Sequence, residues 1–444
     1  MGVESPSKAQ RGRVAFAAVV LGVAYLIGAY LQSRFVNTDY ALHDQTAYME
    51  SAQWIAVDPW DRYANRMQMP AIPMFLLLFV RQGESFASFF PRAKLLCLAL
   101  SVPLITFVVV TFFRTLPRLP ALVLSLLVGF FVFSFRAGYV QAELLSYTSM
   151  FAVFLCMCRF WRSPGVPLAV LTGAVLAGAY LAKGTALLGF YVFVATFTVR
   201  EILLLREQPL QRLKNLGALT VSAGTFALLI YPYARNSKGL FNSYLFNMSS
   251  TYVMWCDSWD HFLELQAKLH LHPDGWKLPQ DQVPSFSNYV ASHSLGTMLK
   301  REVLGLGEML GNCVLSHGYM PVVFLYLFAT IGLLVQNPAL RRRVFRVHRD
   351  SRGPFIVLYV LVHLALFGWY APIAAGNRFS LGVLLPAMFA VVSTMSREAT
   401  AGDTLRVGSM VADWGKVNRA ALALLVLELV GYYPWAIVTH YSGG

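Results

Sequence analysis

Charge is scarce in this chain. Of its 444 residues only 13% are Asp, Glu, Lys or Arg, about half the usual share of a soluble domain, while 57% are hydrophobic. Too few polar side chains remain to coat a core of that size, which excludes an ordinary water-soluble globule. Period-two alternation is missing from the apolar stretches, which excludes a membrane β-barrel. Cysteine is scarce too: three of the five, Cys97, Cys156 and Cys158, lie inside apolar stretches, where a thiol behaves as a small hydrophobe. That rules out a disulfide framework and leaves a single Cys256–Cys313 bridge as the alternative to free thiols.

What abounds is uninterrupted apolar sequence. About eleven runs approach the roughly 20 residues that a helix needs to cross hydrocarbon, where each segment must satisfy its own backbone hydrogen bonds. The predicted fold is therefore all-α, a polytopic integral membrane protein. Its spans lie near residues 14–31, 91–113, 119–135, 145–160, 166–182, 184–205, 216–234, 318–336, 354–370, 380–395 and 420–440. The first run resembles a signal peptide, but it is long for one and Gln32-Ser33-Arg34 is not a small-residue cleavage site. It is expected to remain as an anchor.

A net charge of +14 would suit nucleic acid, yet its distribution points to a membrane. With the N-terminus in the cytoplasm, about 21 Lys and Arg fall in roughly 80 cytoplasmic residues and about 15 in roughly 160 on the other side, as the positive-inside rule requires. The C-terminus is then outside. The densest run, Arg341-Arg342-Arg343-Val344-Phe345-Arg346, reads as an orientation signal touching anionic lipid, not as a nucleic-acid site.

Two outer connections, 32–90 and 235–315, are longer than a link needs, and loops of that length are usually functional. In the first, Tyr40, Asp44, Ala47, Tyr48, Ser51 and Trp54 recur at helical spacing, and 70–80 is apolar but about half the length of a span. Both stretches read as helices lying in the membrane interface. The second connection carries Trp255, Trp259, Trp276, Tyr244, Tyr252 and Tyr289, residue types that settle at headgroup level, and has room for another in-plane helix over 288–315. It is expected to cover the site and select the acceptor. It also holds the sequon Asn247-Met248-Ser249, meaningful in a eukaryotic cell. His261, His270, His272 and His293 lack an acidic partner in helical register, so no metal is expected.

The sharpest local feature is the run from Asp39 to Glu50, which sets Asp44 and Tyr48 on one helical face just outside the first span. Glu143, Lys183 and Arg378 stand at outer turns between spans, and Arg66 lies in the first connection. Gathered together, the cations form a pocket that stabilises phosphate oxygens. The plain alternative is that each charge snorkels separately into water.

These stretches resemble the multi-spanning, lipid-sugar-dependent glycosyltransferases of the C type, the group containing protein mannosyltransferases and aminoarabinose transferases. That group's acidic motif in the first outer loop, Asp-Glu followed by Tyr and Ala, is similar to Asp44-Gln45, Tyr48 and Ser51-Ala52, with Gln45 replacing the second acid. Its Arg-Pro-x-x-Pro stretch resembles Arg66, Pro70 and Pro73. Its Lys-Gly turn resembles Lys183-Gly184, and its late Arg-Tyr…Pro turn resembles Arg378-Phe379 with Pro386. The likeness runs over roughly residues 14–395, leaving 396–444 as a cytoplasmic loop and a last span; the soluble C-terminal domain of some relatives is absent.

The resemblance implies a polyprenyl-phosphate sugar donor, a lipid, glycan or protein acceptor, and an inverting displacement outside a bacterial inner membrane. It assigns Asp44 as base, Lys183, Arg378 and Arg66 as phosphate ligands, Tyr48 and Glu143 as further substrate contacts, and no cofactor. The rival from another class is a transporter or flippase for a lipid-linked or anionic solute. It would need broken helices at the midplane and an inverted repeat, and no such repeat is visible.

Overall fold

The computed structural model describes residues 8–42, 44–57, 68–81, 83–241, 243–245, 247, 252–271, 284–314, 320–345, 352–373 and 377–439, without the side chains of 8–18, 265–266, 268–271, 313–314 and 377–379. The protein is 80% helical, and the strands among the described residues form one antiparallel hairpin, β1 (Leu405–Val407) with β2 (Met410–Ala412), so the fold is nearly all-α. The first half of the chain holds α1 (Lys8–Phe35), α2 (Gln45–Val57), α3 (Ala71–Leu77), α4 (Phe86–Thr115), α5 (Arg118–Leu126), α6 (Glu143–Arg162), α7 (Val166–Ala182), α8 (Ala186–Leu203) and α9 (Pro209–Phe241). The second half holds α10 (Trp259–Leu271), α11 (Phe286–Ser292), α12 (Leu295–Val314), α13 (Met320–Gln336), α14 (Pro338–Val344), α15 (Gly353–Tyr370), α16 (Asn377–Glu398), α17 (Trp414–Gly431) and α18 (Tyr433–Thr439).

Among the described residues six helices are long and apolar enough to cross a bilayer: α4, α6, α8, α9, α15 and the Ser380–Glu398 part of α16. The count rises to eight if each bent pair, α13 with α14 and α17 with α18, is one span, so the expected count of about eleven is not confirmed. The other three predicted runs fall on apolar helices of 10–17 residues, Val19–Phe35, Arg118–Phe133 and Val166–Ala182. Val19–Phe35 is the part of the 28-residue α1 whose side chains are described, and Val166–Ala182 coincides with its predicted run, while the backbone changes course at two other places. After α5 the chain forms a π-helical turn over Leu127–Phe133, and α13 gives way to α14 at a bend of 112°. There Pro338, at the start of α14, lacks the N–H that a continuous helix would need.

Local chemistry explains the ends. Ser85 caps α4 by accepting from the Ser88 N–H, and Asp413 caps α17 by accepting from the Lys416 N–H at 2.7 Å. The predicted interfacial helices appear as α2 and the short α3, while 288–315 is divided between α11 and α12. α12 packs along α15 through Arg301, Gly305, Leu306 and Met309, while Leu295, Leu299, Val303 and Leu310 stay exposed on its other side.

Two large apolar clusters fill the molecule. One joins α6 through α9 with α15; the other joins α1, α4, α5, α13, α17 and α18, with α16 between them. Close approach of α7 to α9 depends on Gly173, where a Cβ would lie 2.4 Å from the Ser222 carbonyl oxygen. At the end of the bundle where α6 finishes, Glu201 is fully buried. It is paired with Arg200 at 2.7 Å and Arg212 at 3.5 Å and accepts from Asn215 at 2.8 Å. A carboxylate this deep stays charged only because those donors replace its water. At the same end Arg343 pairs with Asp403. Burial alone would raise the Asp403 carboxyl, but donation from Thr400 and the Arg343 charge hold it below its usual value.

Candidate functional site

At the other end, the nine residues from Ser134 to Ala142 are irregular yet wholly buried. Buried backbone outside a helix needs partners, and the first long connection supplies them. The Gln45 side chain accepts from the Val140 N–H at 3.1 Å and from the Asn37 amide at 2.9 Å; it donates to the Asn37 side-chain oxygen at 2.9 Å and to the Asp39 and Leu42 carbonyls at 3.2 Å. Asn37 also donates to the Gly138 carbonyl at 3.0 Å. A Cβ at Gly138 would meet the Ser33 Cβ at 2.4 Å, so this loop lies hard against the end of α1. Lys94 completes the junction by donating to the Ser33 and Asn37 carbonyls, both at 2.7 Å.

Gln45 is therefore a fully buried structural hub, with no exposure to solvent. It fixes the first residue of α2, and with it Asp44. The Asp44 carbonyl accepts the Tyr48 N–H at 3.1 Å, which puts Asp44 at the N-terminal boundary of the helix, where the positive end of the helix favours a negative charge.

The second part of the site comes from helix ends. Glu143 is the first residue of α6 and Lys183 caps the C-terminus of α7, so each charge complements the dipole of its own helix. They pair with each other at 3.5 Å. The side chain of Glu143 is 5% exposed and that of Lys183 26%, so Glu143 does not snorkel into water. Asp44, Tyr48, Glu143 and Lys183 line one cavity of about 410 Å³, within the range of small-molecule sites. Its remaining wall is mostly apolar, a third of it aromatic, with Tyr180, Tyr191, Trp259, Phe262, Phe367 and Tyr370.

The second long connection closes one side of this cavity through Leu245, Asn247, Val253, Met254, Trp259 and Phe262. It is clasped from α11, α12 and α15. The Trp369 indole donates to the Met254 carbonyl at 2.7 Å. Arg301 lies over the Trp369 ring at 4.5 Å and the Tyr289 ring at 5.1 Å, donates to the Tyr289 hydroxyl at 2.9 Å and the Trp369 carbonyl at 3.2 Å, and pairs with Asp257 at 3.6 Å. His293 stacks on Tyr289 and reaches Asp257 at 3.3 Å.

Among the residues expected from sequence, the structure thus brings Asp44, Tyr48, Glu143 and Lys183 to one cavity. Arg66 lies outside the described residues, and Arg378 is described only in its backbone, at the start of α16. The aromatic wall and the Arg301 clasp were not expected as site features; a run of Trp and Tyr between spans was their only signal in the sequence.

Three smaller features of the sequence can be placed in part. The Asn247 amide is buried and donates to the Met69 sulfur at 3.5 Å, while the rest of the sequon lies outside the described residues. Cys256 is a buried free thiol, pushed up to about 11 by burial and by the neighbouring Asp257, and the Cys313 side chain is outside the described residues. His293 is committed to the clasp, His261 is exposed on α10, and the side chains of His270 and His272 lie outside the described residues. Among the described residues no group of three or more His, Cys, Asp and Glu side chains converges as a metal site. No protein-family model matches the chain, and no curated protein matches it in sequence.

Proposed function

We propose that the chain is a membrane glycosyltransferase that moves a sugar from a polyprenyl-phosphate donor to a lipid, glycan or protein acceptor, on the extracytoplasmic face of a bacterial inner membrane. In this reading the N-terminus is cytoplasmic and the C-terminus outside. The observation that carries it is the convergence of Asp44, Tyr48, Glu143 and Lys183, from three separate stretches of sequence, on one cavity. An acid able to act as base, a cation able to hold phosphate, and aromatic walls are what an inverting sugar transfer from a lipid phosphate requires.

Asp44 takes the proton of the acceptor hydroxyl as that oxygen attacks the anomeric carbon. The bond from that carbon to the phosphate oxygen breaks, and its electron pair leaves with the lipid phosphate. Lys183 neutralises the departing charge from a position set by Glu143, with Arg66 and Arg378 as further phosphate ligands and Tyr48 orienting the sugar. No metal or organic cofactor enters the scheme. A transporter would expose its charges to both ends in turn, whereas these stand at the first residue of α6, the cap of α7 and the start of α2, all at one end.

The test is direct. Asp44→Asn should leave the protein inserted and able to bind donor lipid while sugar transfer falls by about 10²–10⁴-fold; transfer at the wild-type rate would remove Asp44 from the role of base. Lys183→Ala should weaken donor binding by about 10- to 100-fold, and an effect confined to the acceptor would contradict the assignment. Mass spectrometry of envelope lipids and glycans, with and without the protein, identifies the sugar and acceptor. Movement of donor lipid across proteoliposomes without transfer would favour a flippase.

A further inference from the structure

At the end of the bundle opposite the cavity, three arginines from three helices gather, and among the described residues no carboxylate forms a salt bridge with them. Arg162 is the last residue of α6, Arg352 is the N-cap of α15, and Arg397 lies in the last turn of α16. Arg352 is half-buried, and all three arginines lie within electrostatic reach of one another and of the buried Cys158 thiol.

Among the described residues none of the three is in a salt bridge, and only Glu398, next to Arg397 in the chain, brings an opposing charge. The contrast with their neighbours is informative. At the same end Arg200 and Arg212 share Glu201, and Arg343 holds Asp403, so this region otherwise gives its buried or half-buried guanidinium groups a carboxylate. Like charges brought together repel, and a bound anion removes that cost.

We propose that Arg162, Arg352 and Arg397 form a site for the phosphate of an anionic phospholipid headgroup, seated between the ends of α6, α15 and α16. The guanidinium fork matches phosphate oxygens, which explains arginine at all three positions. All three helices are long and apolar enough to span, so their ends lie at the depth where hydrocarbon gives way to headgroups. Basic pockets between helices at that depth hold lipid phosphates. The same three helices reach the cavity end, where α6 carries Glu143 and α15 carries Phe367 and Tyr370. The lipid therefore staples together helices that build the cavity. This site does not depend on what the cavity does.

Native mass spectrometry of the delipidated full-length protein in uncharged detergent tests the site, with phosphatidylglycerol, phosphatidylcholine of the same chains, and inorganic phosphate added in separate arms. Wild type should retain one phosphatidylglycerol at concentrations where phosphatidylcholine is lost, and inorganic phosphate should not displace it. Arg162→Gln with Arg397→Gln, two exposed positions whose change spares the packing, should weaken retention by about 30-fold. Arg341→Gln with Arg342→Gln, an equal loss of charge on α14, should leave retention unchanged. Arg352→Lys should keep part of the binding, because charge remains and the fork is lost. Equal retention of phosphatidylcholine, unchanged retention in the Arg162/Arg397 variant, or equal loss in the Arg341/Arg342 variant overturns the proposal. Displacement by millimolar inorganic phosphate would assign the arginines to a soluble anion and overturn the lipid assignment.

Discussion

Residues 32–90 enter the cavity through Asp44 and Tyr48, and residues 235–315 through Asn247, Met254, Trp259 and Phe262, yet the two connections are held by different physics. The first is locked by neutral amides in a buried lattice, in which Gln45 and Asn37 bond each other, the Val140 N–H and the Gly138 carbonyl. The second is held by stacked rings, one guanidinium, and a carboxylate, Asp257, that is 55% exposed. A buried amide lattice has no partial state: each group that loses its partner is left unpaired in a medium without water. A half-exposed ion pair exchanges its partner for water at little cost. The difference makes the wall that carries Asp44 rigid and the aromatic wall releasable, as the proposed transfer of a sugar from a bulky lipid donor would require.

The most severe way to break this comparison is Gln45→Glu, which installs the acid found in the glycosyltransferases that this motif resembles. The shape is preserved, but the carboxylate oxygen replacing the amide nitrogen would face the Asn37 side-chain oxygen and the Asp39 and Leu42 carbonyls, all acceptors. A loss of about 3 kcal/mol is expected, read as a lowered thermal midpoint in detergent, and wild-type stability would mean that the first wall is not locked by this lattice. Next in size is Arg301→Ala, which removes the ring sandwich and two hydrogen bonds at a cost of about 2 kcal/mol. Hydrogen exchange should accelerate in 252–262 and remain unchanged in 44–57; acceleration in both would mean that the walls move as one. The smallest effect belongs to His293→Phe, which keeps the stack on Tyr289 and removes the contact to Asp257 together with the local ring-nitrogen contacts to the Tyr289 carbonyl and the Ser292 hydroxyl, both at 3.0 Å. A change of at most about 0.5 kcal/mol is expected, and a larger one would show that the exposed pair, not Arg301, holds the second wall.

Much of this was legible in the sequence, and the reasons differ from residue to residue. Lys183 stood out because Lys-Gly interrupts two apolar runs, and a charge there must sit at a helix end. Asp44 and Tyr48 stood out because their spacing matches one turn of helix, as the Tyr48 N–H to Asp44 carbonyl bond shows. Gln45 was visible only as a missing acid; its partner Val140 belongs to a loop 95 residues away, which no local pattern connects to it. Arg301 was hidden in the same way, since Trp369 is 68 residues distant. The path inside the 119–135 run was not legible, because apolar composition continues through the π-helical turn of Leu127–Phe133, where the α-helical path does not.

The sequence by itself determined that the chain is helical and suited to a bilayer, because hydropathy and backbone satisfaction are local, additive properties of each run. It also determined that its acids and cations stand at helix ends, since charge is expelled from the hydrocarbon depth of any span. Only the tertiary structure decided which of those charges meet: that Glu143 finds Lys183, that Asp44 shares their cavity, and that Arg162, Arg352 and Arg397 come within reach of one another. Such pairings depend on how helices pack, and packing is set by shape matches between distant residues, such as Gly173 against Ser222, that no segment of the chain contains alone.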